Sequence, residues 1–376
     1  MSALDALAGV LRLRPGQARP GSVRNNRPDW AGTLARGKPA ADVPALLGGL
    51  YNLCGHAHRL CAQMALAAAE GAPAPAAGPA ALALRVETLR EHARRITLDW
   101  PAALSPAAAA DAELSLRCCP VLRSPEADLH DTRLWLQRHL LGMPAADWLQ
   151  GWLQGPQGEA WWADWSAAGH GWLPALVRNA RAAADWPVAA AEPLHVHAGT
   201  VSLRQLARSL REEPGYTRQP RWQDDCAETG VWTRLHDVAR PMPASPWARL
   251  GYRVAELTRL CLPDEPGQAG QGWLAFGALP IAPGEGLAWV EMARGLLVHH
   301  ATLEGVDTPR VASYRVLAPT EWNFHAEGAV ATALEGLRPA HGAFAQRRVA
   351  ALMAAYDPCV RFEVDAPMQH EERSHA

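Results

Sequence analysis

Lysine is almost missing: of the 36 basic residues only Lys38 is a lysine. With 38 acidic side chains the formal net charge is -2, which excludes a general polyanion binder, and no nucleic-acid partner is expected. Phenylalanine is scarce as well, four against sixteen tryptophans, and most of those indoles are expected in the interior or at contacts. No apolar run approaches the length of a bilayer span. Met1 to Arg14 lacks the basic start and uninterrupted apolar core of a secretory signal. The seven cysteines are odd in number and irregularly spaced, which fits a reducing cytoplasm better than a disulfide framework. A cytoplasmic location is therefore expected. The length of 376 residues is ample for a large core.

What is present is concentrated. Leu50-Tyr51-Asn52-Leu53-Cys54-Gly55-His56-Ala57-His58-Arg59-Leu60-Cys61 gathers thiols, imidazoles and a guanidinium into one stretch. On a helix, Cys54, His58 and Cys61 fall at i, i+4 and i+7 and share a face. Two thiolates and an imidazole suit a transition metal. The same stripe, extended by Leu50 and Ala65, equally describes small buried hydrophobes. A structural zinc site is disfavoured, because no second cysteine pair stands at the usual spacing.

Along the chain, Val10–Leu13 reads as a short strand ended by Pro15-Gly16. Asp42 caps a helix expected to run unbroken through the thiol stretch to Glu70. A second helix, 81–99, presents Leu82, Val86, Leu89, Ala93 and Ile96 on one face and Arg85, Glu87, Arg90, Glu91 and Arg94 on the other; Trp100-Pro101 ends it. Residues 106–225 read as an irregular helical region rich in tryptophan, and 143–170 lacks the interleaved arginines of a base-stacking surface. Downstream, a helix at 245–262 is followed by strands at Leu287–Val290, Leu296–Leu303 and Arg310–Leu317, the last two a hairpin turning near Gly305 and Asp307. Helices at 327–337 and 342–356 lead to Asp357-Pro358-Cys359, and the tail beyond Phe362 is expected to fray. The expected class is α+β, mainly helical. One domain spans 1–376, with an N-terminal motif region (1–101), the Trp-rich middle (106–225), a C-terminal motif region (226–362) and a polar tail (363–376).

Several of these stretches resemble one known family. Glu291-Met292-Ala293-Arg294-Gly295 and Ala318-Pro319-Thr320-Glu321-Trp322-Asn323 are similar to two signatures of [NiFe]-hydrogenase large subunits. Asp357-Pro358-Cys359-Val360-Arg361-Phe362 resembles their C-terminal Asp-Pro-Cys-x-x-Cys motif, and Leu53-Cys54-Gly55-His56-Ala57 their N-terminal Arg-x-Cys-Gly-x-Cys motif. Arg36-Gly37-Lys38 and Glu228-Thr229-Gly230 fall in the same order. The resemblance implies a helical core with small β-elements and a metal pocket that brings Cys54 and Cys359 together. The departures are specific. Ala57 and Phe362 stand where the two bridging thiolates belong, Ala8 replaces the acid of the N-terminal Arg-x-Glu-Gly-His motif, and Asp365 replaces the histidine of the maturation-cleavage signal.

With Leu98-Asp99-Trp100-Pro101 after a Glu-rich helix, the pattern resembles the HupK/HoxV hydrogenase expression/formation proteins. That resemblance implies a scaffold rather than an enzyme, carrying iron as Fe(CN)2CO in transit from a HypC-like maturation chaperone to the hydrogenase large subunit, with no nickel. Cys54 and Cys359 are the implied metal-binding thiols; either His56 or His58 could stand in for a lost ligand, and His58, on the helical face expected for Cys54, is taken with them. Arg294 and Thr320, with the backbone around Pro319, are implied to contact the diatomic ligands, since a guanidinium offers planar donors that do not lose their charge. In the enzymes the two surviving thiol positions hold nickel, so the iron ligand set stays open. Three other readings compete: a metal-free chaperone or mimic of the large subunit, a quinone-site relative, and a reduced but active metalloenzyme.

Overall fold

A four-stranded antiparallel sheet organises the C-terminal half. It runs in order Phe276–Ala282, Glu285–Met292, Gly295–Glu304 and Arg310–Leu317. Three of these strands match the expected ones, the first two of them lengthened at both ends and Arg310–Leu317 unchanged. The first was not expected, because Gly277 and Pro280 discount a strand in sequence; at the sheet edge Pro280 is tolerated, and the register shifts beside it. The computed structural model describes residues 9–124, 128–154, 158–189, 191–263, 272–305, 307–337 and 343–365; the expectation for Ala8 lies outside them.

Both faces of the sheet are covered. Ala288, Val290, Leu297 and Ala301 join the main core, where the helix Gly55–Glu70 packs. Leu287, Leu296, Val298 and Leu317 point the other way and meet Leu203, Leu206 and Leu210 of the helix Thr200–Glu212. This alternation follows from the two-residue period of a strand. Where the helix Gly55–Glu70 crosses, a Cβ on Gly286 would lie 2.1 Å from the Ala65 carbonyl oxygen, so only glycine allows the approach.

A small sheet joins the chain's two ends. Leu11–Leu13 pairs antiparallel with Val23–Asn25 and parallel with Phe362–Val364. The expected fraying is thereby corrected as far as Asp365, whose N–H donates to Leu13 O and whose carboxylate pairs with Arg14 at 2.8 Å. A tail segment that reads as polar is ordered because a distant strand offers it a hydrogen-bonding edge.

Helices make up 58% of the described residues. Pro246–Cys261 is the central one, with every residue except Arg259 buried. The helices Ala329–Gly336 and Ala343–Tyr356 match expectation closely. Two expectations fail. The helix begun at Asp42 is interrupted: Val43–Leu50 ends at Tyr51, a short 3-10 turn covers Asn52–Cys54, and Gly55–Glu70 starts afresh. The second helix spans Ala77–Arg94 and does not stop at Pro101. A π-helical turn over Arg95–Asp99 leads into Trp100–Leu104, with Pro101 in the first turn, where its missing N–H is not required.

Candidate functional site

The interruption at Tyr51–Cys54 decides the geometry of the site. Cys54 has φ -139° and ψ 37° and precedes its helix instead of belonging to it. It therefore does not share a helical face with His58 and Cys61, and the common ligand stripe expected from their spacing is corrected. Gly48 and Gly55 allow the two helix segments to touch; a Cβ on Gly55 would fall 2.5 Å from the Gly48 carbonyl oxygen. The exposed N-terminus of the second segment is capped from elsewhere. Glu87 accepts hydrogen bonds from His56 N at 2.6 Å and Ala57 N at 2.9 Å, satisfying two of the helix's orphan donors with a negative charge at its positive end. Burial pushes the Glu87 carboxyl up to about 7, with Glu91 adding to the rise while the two N–H groups and Arg294 oppose it.

Cys359 arrives from the other end of the chain. Asp357, two residues earlier, adopts a left-handed φ of 49°. Its carboxylate pairs with Arg95 at 2.7 Å, Arg253 at 3.3 Å and Arg294 at 3.4 Å. Burial alone would raise this carboxyl; Arg294, Arg253 and Arg95 overcome it and hold the group below the usual range. The π-turn brings Arg95 here, so the helix irregularity contributes to the pocket.

Arg294 is the hub. Its Nη2 donates to Glu91 at 2.7 Å and its Nε to the Asp357 carbonyl at 3.2 Å. Nη1 is buried without a hydrogen-bond partner. Burial works against the charge, but Asp357, Glu91, Cys359 and Cys54 together keep it cationic. Thr320 Oγ1 lies 3.1 Å from Cys359 Sγ. Pro319 opens the short helix Pro319–Asn323, where Glu321 accepts from Ala318 N at 3.1 Å. Burial, followed by the nearby Cys359 thiol, raises the pKa of Cys54, and Arg294 and Arg27 pull it back down. Cys54 and Cys359 act electrostatically on each other and both on Arg294, and Thr320 touches Cys359, so these four side chains belong to one region of the interior.

His58 is engaged elsewhere. Its Nδ1 lies 3.0 Å from His299 Nε2, its ring stacks on Tyr51 with centroids 3.8 Å apart, and His299 Nδ1 reaches the Tyr314 hydroxyl at 2.8 Å. Burial and the neighbouring His299 hold His58 neutral. Among the described residues no three His, Cys, Asp or Glu side chains are grouped so as to hold a metal ion. Ala57 is buried, and Phe362 is a strand residue with 38% exposure; neither can ligate.

The remaining motifs act as clasps. Asn323 and Thr229 exchange two hydrogen bonds, at 2.9 and 2.7 Å, and Leu296 N donates to Thr229 Oγ1. Gly295, at φ 130°, has no room for a Cβ, which would lie 2.6 Å from that hydroxyl. Glu291 accepts from Leu235 N and Ala275 N and meets His197 Nε2, each at 2.9 Å. The signature stretches thus brace one another around Arg294. Sequence reading did not assign Arg27, Tyr51, Glu87 or Glu91 to the site. Glu87 and Glu91 lie one helical turn apart on what reads as a solvated face; the available signal was the count of buried cations needing acidic partners.

No family model matches the chain. Among solved structures, a variant of the [NiFeSe] hydrogenase of Desulfovibrio vulgaris Hildenborough aligns over 92% of this chain and 93% of its own, with TM-score 0.52 and 13% identity. The Ni-Fe-Se hydrogenase of Desulfomicrobium baculatum aligns over 90% and 93%, with TM-score 0.51 and 14% identity. The protein thus has the fold of [NiFe]-hydrogenase large subunits. Curated relatives narrow the class. "Hydrogenase expression/formation protein HoxV" of Cupriavidus necator is 40% identical over 378 residues, 97% of each chain. "Hydrogenase expression/formation protein HupK" of Rhizobium leguminosarum bv. viciae is 32% identical over 358 residues, 92% of each. The chain belongs to this HoxV/HupK family of hydrogenase expression/formation proteins.

Proposed function

We propose that this protein acts in hydrogenase maturation as a scaffold that transiently carries iron as Fe(CN)2CO, received from a HypC-like chaperone and delivered to a hydrogenase large subunit. The relatives' names support the role in hydrogenase formation. The observation that carries the finer reading is Arg294 Nη1, buried with no partner on a side chain that feels the charge of both Cys54 and Cys359. A buried donor left unpaired costs about 1–3 kcal/mol, and an anionic cargo with cyanide nitrogens would relieve that cost.

In this reading the cargo iron takes the thiolates of Cys54 and Cys359, with no nickel. Arg294 Nη1 and the Thr320 hydroxyl donate toward its diatomic ligands, and the Pro319 backbone fixes the position of Thr320. Cys54 must give up its proton, and burial makes that costly until a metal cation compensates. Glu87, itself close to neutrality, is the nearby carboxyl suited to receive it. With Ala57 and Phe362 at the bridging positions, the site offers fewer bonds than a hydrogenase centre. Weaker holding suits release, and hydrogen turnover is not part of the proposal.

Infrared spectroscopy of protein purified without oxygen from a strain with intact maturation tests this. Carbonyl and cyanide stretching bands are expected, lost in Cys54→Ala and in Cys359→Ala. A clean spectrum with partners still co-purifying would overturn the carrier reading in favour of a metal-free chaperone, which the absence of any three-ligand group among the described residues favours.

A further inference from the structure

An open cleft reaches solvent, lined among others by Arg27, Asp29, Tyr51, Arg218, Ala318 and Glu321, and Arg27 on its wall feels the charge of both Cys359 and Cys54. We propose that this cleft is an anion-selective entrance to the thiol pair and that Arg27 is the cationic residue that selects at its inner end. The inference rests on the reading of the site as one for an anionic metal fragment, and it names a residue and a route that the hydrogenase signatures do not contain.

Arg27 is placed with care. Its side chain retains only 14% exposure, and Nη1 donates to Glu321 at 3.0 Å. Its guanidinium carbon lies 5.5 Å from the Tyr51 ring centroid. Each contact leads to a thiol. Glu321 follows Thr320, which touches Cys359, and the Tyr51 carbonyl accepts from Cys54 N at 3.0 Å. The backbone of Arg27 is fixed from the chain start: a Cβ on Gly9 would lie 2.6 Å from Arg27 Cα, and Arg27 N donates to Asn25 Oδ1 at 3.0 Å. Arg27 and Arg218 on the lining attract anions, Asp29 and Glu321 oppose them, and neutral molecules are unaffected. Glu321 balances the charge at rest, and an arriving anion competes with it for Arg27.

Alkylation rates test the route without any iron. In the full-length protein, iodoacetate (an anion) and iodoacetamide (its neutral analogue) are compared at Cys359, with the exposed Cys118 as reference and peptide mass mapping to resolve the sites. Each reaction forms a carbon–sulfur bond and expels iodide, so a change in thiol ionisation alters both rates equally and cancels in their ratio. The iodoacetate-to-iodoacetamide ratio is expected to be higher at Cys359 than at Cys118, to fall on the order of tenfold in Arg27→Gln, and to persist in Arg27→Lys. Wild-type protein gives a second reading that no folding defect can cloud: added salt should lower the iodoacetate-to-iodoacetamide ratio at Cys359. Equal ratios at the two cysteines, or a ratio indifferent to salt and to Arg27→Gln, would overturn the entrance. Missing infrared bands with the ratio intact would strike only the cargo assignment.

Discussion

The Trp-rich middle and the thiol pocket lie on opposite sides of the central helix Pro246–Cys261, and they are held by different physics. On one side Trp148 and Trp152 stack with centroids 6.0 Å apart, Trp162 and Trp165 stack at 5.1 Å, and Tyr252 of the helix meets Trp152 edge-on at 5.1 Å. Trp162 and Trp165 each find a backbone carbonyl for their N–H at 3.1 Å. On the other side the helix presents Arg249, Arg253 and Glu256, spaced at four and three. Arg249 forks onto Glu228 at 2.9 and 3.0 Å, and Glu256 forks onto Arg234 at 2.6 and 2.8 Å. The aromatic side supplies non-directional area; the charged side supplies direction at a high desolvation cost. Burial and the Arg234 charge act oppositely on Glu256, and the arginine with His92 wins, holding the carboxyl down at about 2. A helix anchored by rings can carry charges to a fixed place, which is what a pocket made of motif residues needs.

Single substitutions on the two sides should differ in kind. The largest effect is expected from Arg249→Met, which leaves Glu228 buried with only Tyr356 for company and should cost about 3–5 kcal/mol by denaturant unfolding. Adding Glu228→Gln should recover a good part of that loss; no recovery would show that the pair is not the source. Trp162→Ala should cost a similar ~3–5 kcal/mol through the cavity it leaves, with the pH dependence of stability unchanged.

The acidic helix gives a smaller, signed effect. Because the folded Glu87 carboxyl is raised to about 7, the folded state holds a proton that the unfolded chain releases near the ordinary glutamate pKa. Its contribution is present in full at low pH and is lost as pH rises from about 4.5 toward 7, roughly 3 kcal/mol at most. Glu87→Gln should flatten that window in stability-versus-pH curves; an unchanged slope would place the titration elsewhere. Smallest of all, Cys359→Ala should shift the melting temperature by no more than about 2–4 °C while abolishing the infrared bands, separating a cargo thiol from a structural one.

Much of the fold was legible because its signals are local. The hairpin over Gly295–Glu304 and Arg310–Leu317, the helix Pro246–Cys261 and the last two helices all follow from periodicity and turn residues. The resemblance pointed to Arg294, Thr320, Cys54 and Cys359, and of these the structure brings Thr320 into contact with Cys359 and buries Arg294. What misled was also local. Between Asp42 and Glu70 the apolar periodicity outweighs Gly48-Gly49 and Gly55, which mark the interruption at Tyr51–Cys54, and Pro101 looks like a stop although a π-turn carries the helix past it. His58, read beside Cys54 along a helix, was assigned by a spacing that the interruption removes.

The amino-acid sequence by itself determined which groups this protein has to work with: two motif thiols without their bridging partners, one motif arginine, and a hydroxyl at the following signature. Covalent order fixes those identities and nothing about their meeting. Tertiary structure alone decided that Cys54 and Cys359 both act on Arg294, that Phe362–Val364 closes onto Leu11–Leu13, that Glu87 and Glu91 turn inward, and that Arg27 pairs with Glu321 on the wall of a cleft. Such choices depend on pairings between residues hundreds of positions apart, where the partner that neutralises a buried charge or completes a strand edge is supplied by packing and not by neighbours in the chain.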